Sequence, residues 1–230
     1  MSRRIAVFAS GGGSNLQSLI DAFNGERDRG ARVALVVADR PCGALERASH
    51  AGIEHTLIDA RALSADDLAI TTLAALAGAR IDVVALAGYL RLVPAPVVQR
   101  YRGTMTNIHP ALLPAFGGAG MYGLRVHRAV LAAGARVSGA TVHAVDERYD
   151  EGRALAQWPV PVLDDDTPET LAARVLAVEH RLYPLALERL VRTLDGLSAD
   201  PPPAWAFGVA AGEDEMARAM RRACGLPEEA

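Results

Sequence analysis

Along this chain, short apolar runs of strand length alternate with longer stretches in which apolar residues recur every three or four positions. Ile5–Ala9, Val33–Ala38, His55–Ile58 and Val83–Ala87 are each followed by such a stretch: Leu16–Phe23, Ala44–Ala51, Ser64–Ala77 and Ala95–Tyr101. Strands apolar on both faces and joined through helices predict an α/β domain with a parallel sheet. Ser64-Ala65-Asp66-Asp67 resembles a capping box with Asp in place of the usual Glu, which fixes the start of the third helix. Thr104–Ile108 reads as a further strand. Ser138–Val145 and Ala154–Val162 flank a turn at Asp146–Gly152 and are expected to pair antiparallel. Thr167-Pro168 sets an N-cap before a proline at the first helical position, opening a helix through Leu171, Val175, Val178 and Leu182 towards Leu190. After Ser198 the pattern breaks at Asp200-Pro201-Pro202-Pro203, and a short charged helix, Glu213–Ala223, is expected beyond. Residues 1–196 are thus read as one domain and 197–230 as a Pro-containing C-terminal appendage.

Composition narrows the chemistry. Half of the 230 residues are apolar, enough for one sizeable core, and the formal charge of −3 gives no basic field for nucleic acid. Small-molecule substrates are the expectation. All 24 basic side chains are Arg, so an anion must be held by guanidinium, imidazolium or backbone N–H. Cys42 and Cys224 are far apart and lack metal-ligand spacing, so neither a disulfide framework nor a metal site is expected. No apolar run is long enough to span a membrane, and the N-terminus enters a strand directly; a cytoplasmic protein is expected.

Gly11-Gly12-Gly13-Ser14-Asn15 joins the first strand to the first helix, where backbone N–H groups and a helix N-terminus can face a phosphate. A dinucleotide fold is the competing reading, because Asp39 ends the second strand where a ribose-binding acid would sit. Against it, Leu16 stands where the third glycine of G-x-G-x-x-G allows close helix–strand packing. Thr106-Asn107-Ile108-His109-Pro110 ends a strand, and alternation puts Asn107 and His109 on one face, about 7 Å apart along the chain. An amide donor beside an imidazole suits the oxyanion of an acyl transfer.

Asn107-Ile108-His109-Pro110-x-Leu112-Leu113-Pro114 resembles the signature of the folate-dependent formyltransferases. Ser10 to Gln17, Ala87-Gly88-Tyr89-Leu90-Arg91-Leu92, Gly139-Ala140-Thr141-Val142-His143, Asp150-Glu151-Gly152 and Glu179-His180-x-x-Tyr183-Pro184 are similar to its glycinamide ribonucleotide branch. The likeness spans residues 4–195. It implies a Rossmann-like, mostly parallel twisted sheet with helices on both faces. It also implies transfer of a formyl group from 10-formyltetrahydrofolate, a co-substrate, to the amine of 5'-phosphoribosylglycinamide in purine synthesis, without a metal.

Carried over by motif, Asn107, His109 and Asp150 form the catalytic trio, with Asp150 keeping the imidazole protonated. Gly13, Ser14 and Asn15 hold the substrate phosphate and Glu179 its sugar. Leu90, Arg91, Leu92 and Val93, together with Asn107, hold the folate. Arg91 amid apolar neighbours needs a polar partner or the open rim of a cleft. His143 is either a group behind the trio or a core histidine. His50, His55, His127 and His180 are read as surface or structural, and Asp164-Asp165-Asp166 as a solvated loop.

The chain also departs from the family. Ala115–Val126 is longer and Gly-rich, lacks the usual histidine, and is expected as a mobile lid. The glycine pair after the aspartate is reduced to Glu151-Gly152. Two further readings stay open: a formyltetrahydrofolate hydrolase, and a non-catalytic folate- or nucleotide-binding protein. The expected assembly is a monomer or homodimer, with no nucleic-acid or membrane partner.

Overall fold

The computed structural model describes residues 2–26 and 28–197. The strands are β1 (Arg3–Ala9), β2 (Ala31–Ala38), β3 (Glu54–Leu57), β4 (Val83–Leu86), β5 (Met105–His109), β6 (Val137–Ala144) and β7 (Ala154–Pro161). The helices are α1 (Ser14–Phe23), α2 (Gly43–His50), α3 (Ala65–Gly78), α4 (Ala95–Arg100), α5 (Leu124–Ala132) and α6 (Pro168–Leu194). One sheet runs in the order β3-β2-β1-β4-β5-β6-β7. β1 to β5 are parallel, and β6 and β7 return antiparallel. This is the Rossmann-like α/β arrangement that the alternating runs predict. The Glu213–Ala223 helix and nearly all of the proposed appendage lie outside the described residues.

Alternation along β1 sends Ile5, Val7 and Ala9 into one core and Ala6 and Phe8 into another on the opposite face of the sheet. The first core takes Leu16 and Leu19 of α1, Ala44 and Ala48 of α2, Val126 and Val130 of α5, and Leu171, Val175 and Leu187 of α6. The second takes Leu76 of α3 with Val97 and Val98 of α4. Helices therefore cover both faces, which is why the parallel strands read as unbroken apolar runs. The expected cap is present, with Ser64 Oγ accepting from Asp67 N–H at 3.1 Å. Thr167 and Thr170 close a reciprocal box at the start of α6.

The structure corrects two local readings. α5 begins at Leu124, so the irregular segment expected through Val126 ends at Gly123. Its nine residues carry only a short apolar stripe, and its N-cap is a glycine without a side-chain bond, so the usual start signal is missing. Asp164 and Asp165 are exposed as expected, but the Asp166 side chain is buried against Arg174, with oxygens 2.7 and 2.8 Å from two guanidinium nitrogens. That pairing, against the cost of burial, holds its carboxyl down at about 2.

β1 has β2 on one side and β4 on the other, so the crossovers diverge between β1 and β4 and open a crevice at their C-terminal ends. The glycine turn follows β1 there, and Ala87–Val93 follows β4. Beneath the crevice, the Tyr183 hydroxyl of α6 donates to the carbonyls of Leu86 (3.2 Å) or Thr106 (3.1 Å). One turn earlier on the same helix stands Glu179, so this anchor fixes where that carboxyl reaches the crevice.

Candidate active site

β5 delivers Asn107 and His109 at its end, and its register with β6 sets His143 directly opposite Asn107. The turn between β6 and β7 brings back Asp150, whose Oδ2 lies 3.4 Å from His109 Nδ1 and whose Oδ1 lies 3.4 Å from His143 Nε2. Asn107 Nδ2 is 3.1 Å from His143 Nε2 and 3.5 Å from Asp150 Oδ1. Asp150 sits in the left-handed region at φ 58°, a conformation Asp tolerates better than most residues. The Gly118 N–H donates to its Oδ2 at 2.9 Å. Gly152 is needed for the sharp return, because a Cβ there would strike the Ala144 carbonyl.

Charge is distributed unevenly in this group. Burial alone would raise the Asp150 carboxyl, but the His143 bond, the nearby His109 and the Gly118 N–H outweigh it and hold it below the usual range. His109 is 3% exposed, and burial pushes its imidazole below the ordinary value despite the pull of Asp150 and of the Phe116 carbonyl. Burial thus opposes the hold that Asp150 is expected to exert on the imidazole's proton, while both ring nitrogens face acceptors, Asp150 at Nδ1 and the Phe116 carbonyl at Nε2. His109 Nε2 lies 2.9 Å from the Phe116 carbonyl, which places its proton on that nitrogen and points it at the 115–123 loop.

At the other end of the crevice, the carbonyls of the glycine turn are all engaged. Ala44 N–H donates to Gly11, Arg47 Nε to Gly12 and Gln17 N–H to Gly13. The N–H groups of Gly11, Gly12 and Gly13 donate to no group among the described residues, which leaves a set of unspent donors at the uncapped start of α1. Gly13 is obligatory, since φ is +74° and a Cβ would come within 2.9 Å of Ala44 Cα. At Gly11 and Gly12 a Cβ would meet nothing within 4 Å. Asn15 donates from Nδ2 to Glu179 Oε2 at 2.6 Å, while its Oδ1 is buried without a partner. Burial raises the Glu179 carboxyl to about 7, tempered by that bond.

After β4, the predicted segment Leu90–Val93 splits in two. Leu90 and Leu92 stand at the rim, 40% and 47% exposed, whereas Val93 packs into the second core. Arg91 has the polar partner its setting demands: Nε donates to Asp39 Oδ2 at 3.0 Å. Asp39, whose side chain is 0% exposed, also pairs with Arg40 at 2.7 Å and accepts from the Ser10 hydroxyl. Burial would raise its carboxyl, but Arg40, Ser10 and Arg91 together hold it low. Ser10 Oγ in turn accepts from the Leu90 N–H at 3.0 Å. Asp39 thus braces the cleft wall, and its carboxylate is not presented to a ribose.

A single cavity of about 570 Å³ brings together Asn15, Leu90, Arg91, Leu92, Val93, Asn107, His109, Asp150 and Glu179. Gly13 and Ser14 lie in the adjoining turn and do not line it. Three groups escaped the sequence reading as members of the site, His127, Tyr122 and Tyr149, and His143, read as either a group behind the trio or a core histidine, also lines this cavity. For His143 the signal was available, since its alternation on β6 matches that of Asn107 on β5. His127, read as structural, is buried with Nδ1 unpartnered, and nothing in its local sequence points to the cleft.

The fold and cleft define a class: a doubly wound, Rossmann-like α/β protein with an amide, two imidazoles and a carboxylate where the parallel strands meet the antiparallel pair. A family model described as formyl transferase matches residues 3–187, and the chain belongs to that family. It is similar to the chloroplastic phosphoribosylglycinamide formyltransferase of Vigna unguiculata, 46% identical over 85% of this chain and 64% of the relative. It is 45% identical to the phosphoribosylglycinamide formyltransferase of Mycobacterium tuberculosis (strain ATCC 25618 / H37Rv), over 81% of this chain and 84% of that one. Among solved structures, glycinamide ribonucleotide transformylase 1 from Symbiobacterium toebii superposes with a TM-score of 0.78 at 40% identity, covering 84% of this chain and 89% of its own. The chain spans just under two thirds of the length of the plant relatives, 64% and 63%.

Proposed function

We propose that this chain transfers the formyl group of 10-formyltetrahydrofolate to the primary amine of 5'-phosphoribosylglycinamide, with residues 1–196 as the catalytic unit. The observation that carries this is the convergence of Asn107, His109 and an ionised Asp150 in one cavity that reaches from Asn15 and Glu179 to Leu90 and Leu92. The free N–H groups of the glycine turn take the phosphate, Glu179 takes the sugar, and the rim leucines flank the pterin.

The amine attacks the formyl carbon, a C–N bond forms, and the carbonyl oxygen becomes an oxyanion. The Asn107 Nδ2 group, 3.1 Å from His143 Nε2 and 3.5 Å from Asp150 Oδ1, is the amide donor that turns to stabilise that charge. His109 gives a proton to N10 as the C–N10 bond breaks and tetrahydrofolate leaves, and Asp150 assists the loss of the amine's proton through water. The proton on Nε2 reaches N10 only when the Phe116 carbonyl withdraws, so the 115–123 loop acts as a lid over bound reactants. No described helix is long and apolar enough to cross a membrane, and a cytoplasmic setting belongs to this reading through its small, charged, water-borne reactants.

The test is the absorbance change of 10-formyltetrahydrofolate with and without the phosphorylated glycinamide. Transfer requires both reactants. A change without the glycinamide marks a hydrolase, and no change with both marks a binding protein.

A further inference from the structure

The glycine turn offers N–H groups to an anion but no formal charge of its own, and the sequence contains no lysine. Two cationic candidates stand beside it. His180 follows Glu179, and its Nε2 is buried without a partner, but burial and the neighbouring Arg47 both disfavour its protonation. Arg47, on α2, is exposed and bonded to the turn itself: Nε to the Gly12 carbonyl at 2.8 Å and Nη1 to Gln17 Oε1 at 3.1 Å. Gln17 is held in turn by Asp21, 2.8 Å from its Nε2. Nη2 of Arg47 is uncommitted among the described residues. Asn15, 8% exposed, lines the cavity beside this turn with Oδ1 unpartnered among the described residues, an acceptor left open for a hydroxyl of the sugar that carries the phosphate.

We propose that Arg47 is a specificity-determining residue that supplies the counter-charge for the phosphate of the amine substrate and keeps the Gly12 carbonyl turned to the protein. This rests on the reading of the glycine turn as the phosphate site. A guanidinium bonded to a carbonyl of the turn removes a lone pair that would repel an anion and brings a charge that the backbone lacks.

The experiment compares wild type, Arg47→Ala, Arg47→Lys and Gly11→Ala in the full chain. Each is assayed on phosphoribosylglycinamide and on the ribosylglycinamide that lacks the phosphate, with orthophosphate as a competitor. Arg47→Ala should raise KM for the phosphorylated substrate about 10- to 100-fold. It should also weaken orthophosphate competition, leave KM for the folate unchanged, and act equally to wild type on the phosphate-free substrate; Arg47→Lys should recover part of the loss. A KM rise with Gly11→Ala but not with Arg47→Ala overturns the role of Arg47 and leaves the turn as the phosphate site. No rise with either, and no competition by orthophosphate in the wild type, overturns both. An equal loss on the phosphate-free substrate makes Arg47 a brace of the turn and overturns the charge role.

Discussion

The two walls of the cleft are held in different ways. On the parallel side, β1 and β4 end in segments tied to each other by the Ser10–Leu90 bond at 3.0 Å and by a fully buried Asp39 that fixes Arg40 and Arg91. On the antiparallel side, the contacts among His109, His143, Asn107 and Asp150 are mostly 3.4 to 3.5 Å, and the carboxylate arrives on a left-handed residue. The first wall is bonded before any reactant binds, as binding surfaces gain from being. The second is satisfied but loose, as reacting groups are that tighten only when charge develops between them.

If that contrast is correct, changes on the antiparallel wall should strike kcat and changes on the parallel wall should strike KM. The largest effect belongs to Asn107→Ala. It removes an oxyanion donor while disturbing few core contacts, so kcat should fall by roughly 10²–10³, about 3–4 kcal/mol, with dissociation constants nearly unchanged. A wild-type turnover number would place the amide outside the chemistry.

Next is Gly11→Ala, whose added methyl has open space in the free protein but would intrude on a bound phosphate. KM for the glycinamide should rise about tenfold with KM for the folate unmoved. Gly13→Val is a poorer probe, because it collides with Ala44 and would disturb the turn whether or not phosphate binds there.

A smaller effect is expected of Asp39→Asn, which loosens the hold on Arg91 and Arg40 without changing shape. KM for the folate should rise by a few-fold, about 1 kcal/mol, and amides across residues 88–93 should exchange faster. An equal rise in both KM values would make Asp39 a matter of general stability.

How far the sequence revealed this arrangement follows the same division. The parallel wall was legible because its devices are local: a glycine triplet straight after a strand and an arginine among apolar residues. Even there, Asp39 looked like a ribose ligand in a competing fold, and only its burial against two guanidiniums shows it to be a brace. On the antiparallel wall, Asn107 and His109 were legible as strand neighbours, but Asp150 lies 43 positions from Asn107, and only the family motif connected them. His143 could be assigned once the β5–β6 register was known. α5 was missed because a glycine replaces its cap, and the burial that opposes Asp150 at His109 leaves no mark in local sequence.

The most direct test of the antiparallel wall is the pH dependence of kcat for wild type and Asp150→Asn, from about pH 5 to pH 9. Burial already lowers the His109 imidazole from its ordinary value, so a proton-donating role gives a rate lost as pH rises through that lowered value. The charge on Asp150 is the main influence opposing burial, so Asp150→Asn should move this limb to still lower pH. The deficit of the variant should open between the two values and stay constant above them, while Asn107→Ala keeps the wild-type limb. A limb that stays in place in Asp150→Asn, or moves to higher pH, would contradict the pairing of this carboxylate with the His109 proton.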